Sequence, residues 1–117
     1  MLGSHEEFVA NIKKYVEAVD EAAVAGIAKH CGIALQSRDA SLVAATDPDE
    51  LARVRNSFLK KKLALAHPDA ELDGAVTDVM HRMAGIHDKH RVTVYYLLAE
   101  KFGKLAEFHG KDAAAHG

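Results

Sequence analysis

The chain has 117 residues, close to the commonest domain size, and is 49% hydrophobic and 27% charged. This mix argues against disorder, which needs low hydrophobicity and high net charge, and it supplies one modest core without metal or disulfide staples. Fifteen basic residues against 17 acidic ones leave a formal net charge of −2, without the positive excess of a dedicated nucleic-acid binder.

Cys31 is the single cysteine, so no intramolecular disulfide can form, and a lone thiol fits a reducing compartment or a buried apolar site. No apolar run approaches the roughly 18 residues of a membrane-spanning helix. The first residues lack the basic and apolar regions of a secretory signal. The expected location is the cytoplasm, with no membrane partner. Two prolines and abundant alanine favour helix. The patterning predicts an all-α fold, a compact bundle of about five to six short helices. It forms a single domain over residues 1–110, with a frayed Ala-rich tail over 111–117.

The first helix starts at Ser4, where Ser4 and Glu7 form a capping box. Phe8, Ile12, Tyr15, Val16 and Val19 then make one apolar stripe at helical spacing. Asp20 caps a second helix, Ala22 to Cys31, and Gly32 ends it in the left-handed conformation that glycine adopts at low cost. A short third helix holds Ser41, Leu42 and Val43. The strongest local signal is Asp47-Pro48-Asp49-Glu50, with Asp47 as cap, Pro48 at the first helical position and Glu50 completing the box. Its helix buries Leu51, Val54, Phe58, Leu59 and Leu63. His67-Pro68-Asp69 opens the next, with Leu72, Val76, Val79, Met80 and Met83 inward and Gly85 as the stop. The last helix runs from about Lys89 to Phe102 and stops at Gly103. Its Val92-Thr93-Val94-Tyr95-Tyr96 run has strand-like composition, but it continues into Leu97-Leu98-Ala99 and has no partner strand elsewhere.

Three groups of residues are candidates for chemistry. His81, His87, Asp88 and His90 fall in one stretch of metal-ligand residue types, although the spacing matches no zinc motif and a solvated turn accounts for it. Lys60, Lys61 and Lys62 form a basic run with Arg53 and Arg55. At roughly 100° per residue Arg53 and Lys60, extended to Lys61, share a face. Lys89 and Arg91 add charge at the start of the last helix, where free amides also hold anions. Together these lysines and Arg91 form an anion or phosphate-backbone site if they meet in space; otherwise they are solvated surface. Tyr15, Tyr95 and Tyr96 are core residues whose hydroxyls need partners, with Arg38 and Asp39 among the candidates. Lys29 and His30 beside Cys31 lower a thiol pKa, whereas a helix C-terminus raises it. No nucleophile–base–orienter set, phosphate-cradling glycine loop or cysteine pair is present, and nothing calls for a cofactor.

The stretch Ser37–Val43, the Asp47–Leu51 box, the Val54–Leu63 helix and the closing Arg91–Lys104 segment together resemble the small bacterial proteins of the domain-of-unknown-function 2853 family. The resemblance extends from about Ile12 to Phe108 and rests on the order and spacing of these pieces. It implies a compact helical fold of this length and no particular activity, ligand or catalytic residue. Relatives tend to have Cys near the positions of Ala45 and His81, so a thiol or metal role there would be lost in this chain.

Three functional readings follow. The first is a non-enzymatic interaction or binding module with a protein partner or a second copy of the chain, which predicts an exposed apolar patch of several hundred Å². The second is a nucleic-acid or anion binder acting through Lys60, Lys61, Lys62, Lys89 and Arg91. The third is a metal-binding protein using His81, His87, Asp88 and His90.

Overall fold

The computed structural model describes residues 4–109, so the tail at 111–117 lies outside the described residues. In chain order the elements are α1 (His5–Ile12), α2 (Glu21–Cys31), a 3-10 turn (Gly32–Gln36), α3 (Arg38–Ser41), α4 (Pro48–Arg53), a π-helical segment (Val54–Lys62), α5 (Asp69–Arg82), α6 (Arg91–Lys101) and a closing 3-10 turn (Leu105–Phe108). Among the described residues no strand forms, and no helix is long and apolar enough to cross a membrane.

α6 is the centre of the molecule. Every residue from Arg91 to Ala99 is buried, and α1, α2, α3 and α5 all pack around it. A helix covered on all sides needs no polar face, so its sequence lacks the usual amphipathic rhythm. That explains why Val92–Tyr96 looks strand-like and still folds as helix. α6 ends where Gly103 takes φ +69°.

The caps form largely as their side chains dictate. Ser4 Oγ accepts from the Glu7 amide at 3.3 Å, Asp20 Oδ1 accepts from Ala23 at 3.0 Å, and Asp47 Oδ1 accepts from Asp49 at 3.0 Å. Gly32 and Gly85 have φ of +45° and +84° at the ends of α2 and α5. α1 is shorter than its stripe predicts. It stops at Ile12, and Tyr15, Val16 and Val19 reach the core from a turn. The turn brings the Asp20 amide to the Tyr96 hydroxyl, at 2.9 Å, which satisfies a phenol buried in α6.

Two further boundaries move. α3 ends at Ser41, and Leu42 and Val43 are extended rather than helical. Leu42 pairs with His90 in an isolated antiparallel bridge, and the Val43 amide donates to Lys89 O at 2.8 Å. The second change is the π-helical winding after α4, seen in the Leu63 amide donating to Phe58 O, five residues back, at 2.8 Å. Wider winding puts Val54, Phe58, Leu59 and Leu63 on one buried face. The face assignment of the lysines at 100° per residue therefore fails from Val54 onward, because it assumes α-helical winding.

Gly26 marks the closest approach between elements. A Cβ there would lie 2.0 Å from the carbonyl oxygen of Phe108, so only glycine lets the closing turn seat against α2.

Candidate functional site

Arg91 occupies the first turn of α6 and is buried. Its Nε donates to Ala40 O at 2.7 Å, its Nη1 to the Tyr95 hydroxyl at 3.1 Å and its Nη2 to Leu42 O at 3.2 Å. Nη2 also donates to the Glu50 carboxylate. Glu50, read from the sequence as part of a capping box, is instead buried, and its second oxygen accepts from Arg53 Nη1 at 2.9 Å. A buried carboxylate is strongly disfavoured unless its charge is compensated, and the two guanidiniums compensate it. Burial works against the Arg91 charge, but Tyr95 and Glu50 outweigh it and hold the guanidinium pKa above its ordinary value. Arg91 thus ties α3 and the extended residue Leu42 to the start of α6.

This pinned segment has a concavity on each side. The larger is a cleft of about 410 Å³ between α1, the first 3-10 turn and the start of α6. Phe8, Leu35 and Leu42 give it an apolar floor, and Asn11, Lys14, Arg38 and His90 stand at its edge. Asn11 is held by Thr93, whose hydroxyl donates to Asn11 Oδ1 at 2.5 Å. That bond leaves the Asn11 amide hydrogens free to donate into the cleft. Glu7 also lines the cleft but belongs to the Ser4 cap. The smaller concavity is a recess of about 280 Å³ on the far side of α3, where Arg53, Ser57, Arg91 and Tyr95 meet His30 and Cys31.

The candidates from the sequence have different surroundings. Lys60 pairs with Asp69 at 2.9 Å, and Arg55 pairs with Asp73 at 3.0 Å, so part of the basic run is matched by acids of α5. Lys62 lies over the Phe108 ring, 5.4 Å from its centroid, and Lys61 is exposed. Lys89 Nζ donates to Ile86 O at 2.7 Å. Arg91 is the one member of the set built into the core.

His81 is exposed on α5, His87 Nδ1 lies 2.9 Å from Asp88 Oδ1, and His90 lines the large cleft. Asp88 also accepts from Arg38 at 3.0 Å, and the contacts of His87 and Arg38 hold its pKa below the usual carboxylate value. Among the described residues, no three His, Cys, Asp or Glu side chains converge in a metal-binding arrangement.

Two of the three tyrosine hydroxyls find partners, Arg91 for Tyr95 and the Asp20 amide for Tyr96, whereas the Tyr15 hydroxyl is buried without a hydrogen-bond partner among the described residues. Burial pushes the Cys31 thiol up to about 12, against the opposing pull of Arg91, so it is not an activated nucleophile. Among the described residues the expected patch of large exposed apolar side chains is absent. Ile33, 83% exposed, is the only large apolar side chain exposed among the described residues, because the remaining apolar residues are taken up around α6.

A family model described as "Protein of unknown function (DUF2853)" matches residues 7–106, which include every residue that lines both concavities. The chain belongs to the DUF2853 family. No curated protein matches it. In this DUF2853 chain the matched segment contains Glu50, Arg91 and both walls of the cleft. The residues that define these concavities were hard to find by motif. Asn11 and Thr93 are lone polar residues at otherwise apolar helix positions, and that was the available signal.

Proposed function

We propose that this protein is a non-enzymatic binding module that holds a small amphipathic carboxylate in the cleft between α1 and the start of α6. The observation that carries the reading is the cleft itself: about 410 Å³, with an apolar floor and a rim of donors on one side. Ligand sites are typically concave and mostly apolar, with a few polar groups that fix orientation. The ligand's apolar body packs on Phe8, Leu35 and Leu42. Its carboxylate faces Lys14, Arg38 and the Asn11 amide. Lys14 makes no ion pair among the described residues, which leaves it available to an anion.

The test is a titration of 15N-labelled protein with octanoate and phenylacetate, followed by NMR. Saturable shifts centred on Asn11, Ser41 and Leu42 are expected. They disappear in Ala10→Trp, because Ala10 is exposed on α1 and lines the cleft, so the indole fills it without entering the core. Lys14→Gln weakens them. Absence of saturable binding, or binding that survives Ala10→Trp, contradicts the reading.

A further inference from the structure

The recess on the other side of α3 has a charge and hydrogen-bond imbalance. Two guanidiniums, Arg53 and Arg91, share one buried carboxylate, Glu50. One positive charge is left over, shared between Arg91, whose side chain is 10% exposed, and Arg53, whose side chain is 65% exposed. Lys62 adds positive potential nearby, since it acts on the His30 ring that borders the same recess. Charge withdrawn from water favours a counter-charge within reach.

The donors show the same excess. A guanidinium has five N–H groups. Arg91 uses Nε, both hydrogens of Nη2 and one of Nη1, so one Nη1 hydrogen is unused among the described residues. Tyr95 accepts from Arg91, so its own hydroxyl proton is free to donate into the recess. Ser57 lines the same space, and among the described residues its hydroxyl has no hydrogen-bond partner. Arg53 uses one donor on Glu50, and the rest of its fork is exposed. These donors surround a space of about 280 Å³ whose one nearby carboxylate is already engaged. A ligand there must bring acceptors and negative charge.

We infer that this recess binds a small oxyanion, a phosphoryl or carboxylate group, held by Arg53, Ser57, Tyr95 and the unused Nη1 hydrogen of Arg91. The ion completes the charge pairing that Glu50 begins. The stacked Phe58 and Tyr95 rings, with centroids 3.9 Å apart, hold the Tyr95 hydroxyl rigidly at the recess floor. The site differs from the lysine face read from the sequence, because it keeps Arg53 and Arg91 from that reading, uses none of its lysines and adds Ser57 and Tyr95. It is also separate from the amphipathic cleft, since α3 lies between them.

The experiment titrates 15N-labelled protein with phosphate and, separately, with acetate, ionic strength being held constant with sodium chloride. Saturating shifts at the Ser57 amide and the Arg53 side-chain N–H are expected. Arg53→Gln and Ser57→Ala, both at exposed positions and checked for folding by circular dichroism, each weaken binding. The loss for Arg53→Gln is about tenfold, the contribution of one charge-assisted hydrogen bond. Lys60→Gln leaves binding unchanged. Tighter binding of phosphate assigns the site to phosphoryl groups, and tighter or equal binding of acetate assigns it to carboxylates. Shifts that never saturate for either anion overturn the proposal. So does saturation that is indifferent to Arg53 and Ser57 but lost on changing Lys60.

Discussion

The guanidinium of Arg91 reaches the carboxylate of Glu50, 41 residues earlier in the chain, and both side chains are about nine-tenths removed from solvent. The pair joins the first turn of α6 to α4. Through Ala40 O and Leu42 O, Arg91 also fixes the segment between the two concavities. Removing one partner leaves an uncompensated buried charge, which typically costs about 3–5 kcal/mol. Glu50→Ala is therefore expected to lower the unfolding free energy measured in urea by that much, and Arg91→Met by a similar amount. The double variant Glu50→Leu with Arg91→Met recovers a large part of the loss, since no charge then remains buried. Equal losses in single and double variants would show that packing, not charge, dominates here.

His30 gives the fold a dependence on pH. It lies against Phe58, Tyr95 and Phe108, with ring centroids 5.9 to 6.4 Å away. Burial, helped by Lys62, holds its pKa below 6.5. The unfolded chain thus binds the proton at a higher pH than the folded chain. Its contribution is fully present above the unfolded value and is lost as pH falls through the folded value. Stability measured in urea should decline as pH falls below 6.5, and His30→Phe should flatten that part of the profile. Profiles of equal slope would remove His30 from the explanation.

Ala64, just after the π-helical segment, has φ +54° and is exposed. A left-handed backbone costs a non-glycine residue roughly 1–2 kcal/mol, partly offset by the greater freedom glycine has when unfolded. Ala64→Gly is expected to stabilise the protein by about 0.5–1 kcal/mol in thermal or urea unfolding. A loss of stability would mean that the turn is not strained.

Local chemistry made much of the fold readable. Ser4, Asp20 and Asp47 cap the helices that their positions predict, and Gly32, Gly85 and Gly103 sit at helix ends with positive φ. Such signals act within a few residues, so the sequence exposes them directly. The long-range relations were hidden. Glu50 sits where a capping box would use it, yet its partner lies 41 residues away. A short helix does end at Ser41, but Leu42 and Val43, read as part of it, are extended and pair with Lys89 and His90, which no local pattern reveals. The basic run was visible as composition, whereas its π-helical winding and its pairing with the acids of α5 depend on packing. The cleft was illegible for the same reason. Its floor draws on Phe8, Leu35 and Leu42, which come from three separate elements.

The most direct measurement is a set of intermolecular nuclear Overhauser effects between a bound amphipathic carboxylate, such as octanoate, and the 13C-labelled protein. Contacts from the ligand's alkyl protons to the Phe8 ring and the Leu35 and Leu42 methyl groups, which line the cleft, are the predicted result. Contacts confined to exposed Ile33, or none at ligand saturation, would contradict the assignment of this cleft as the binding site.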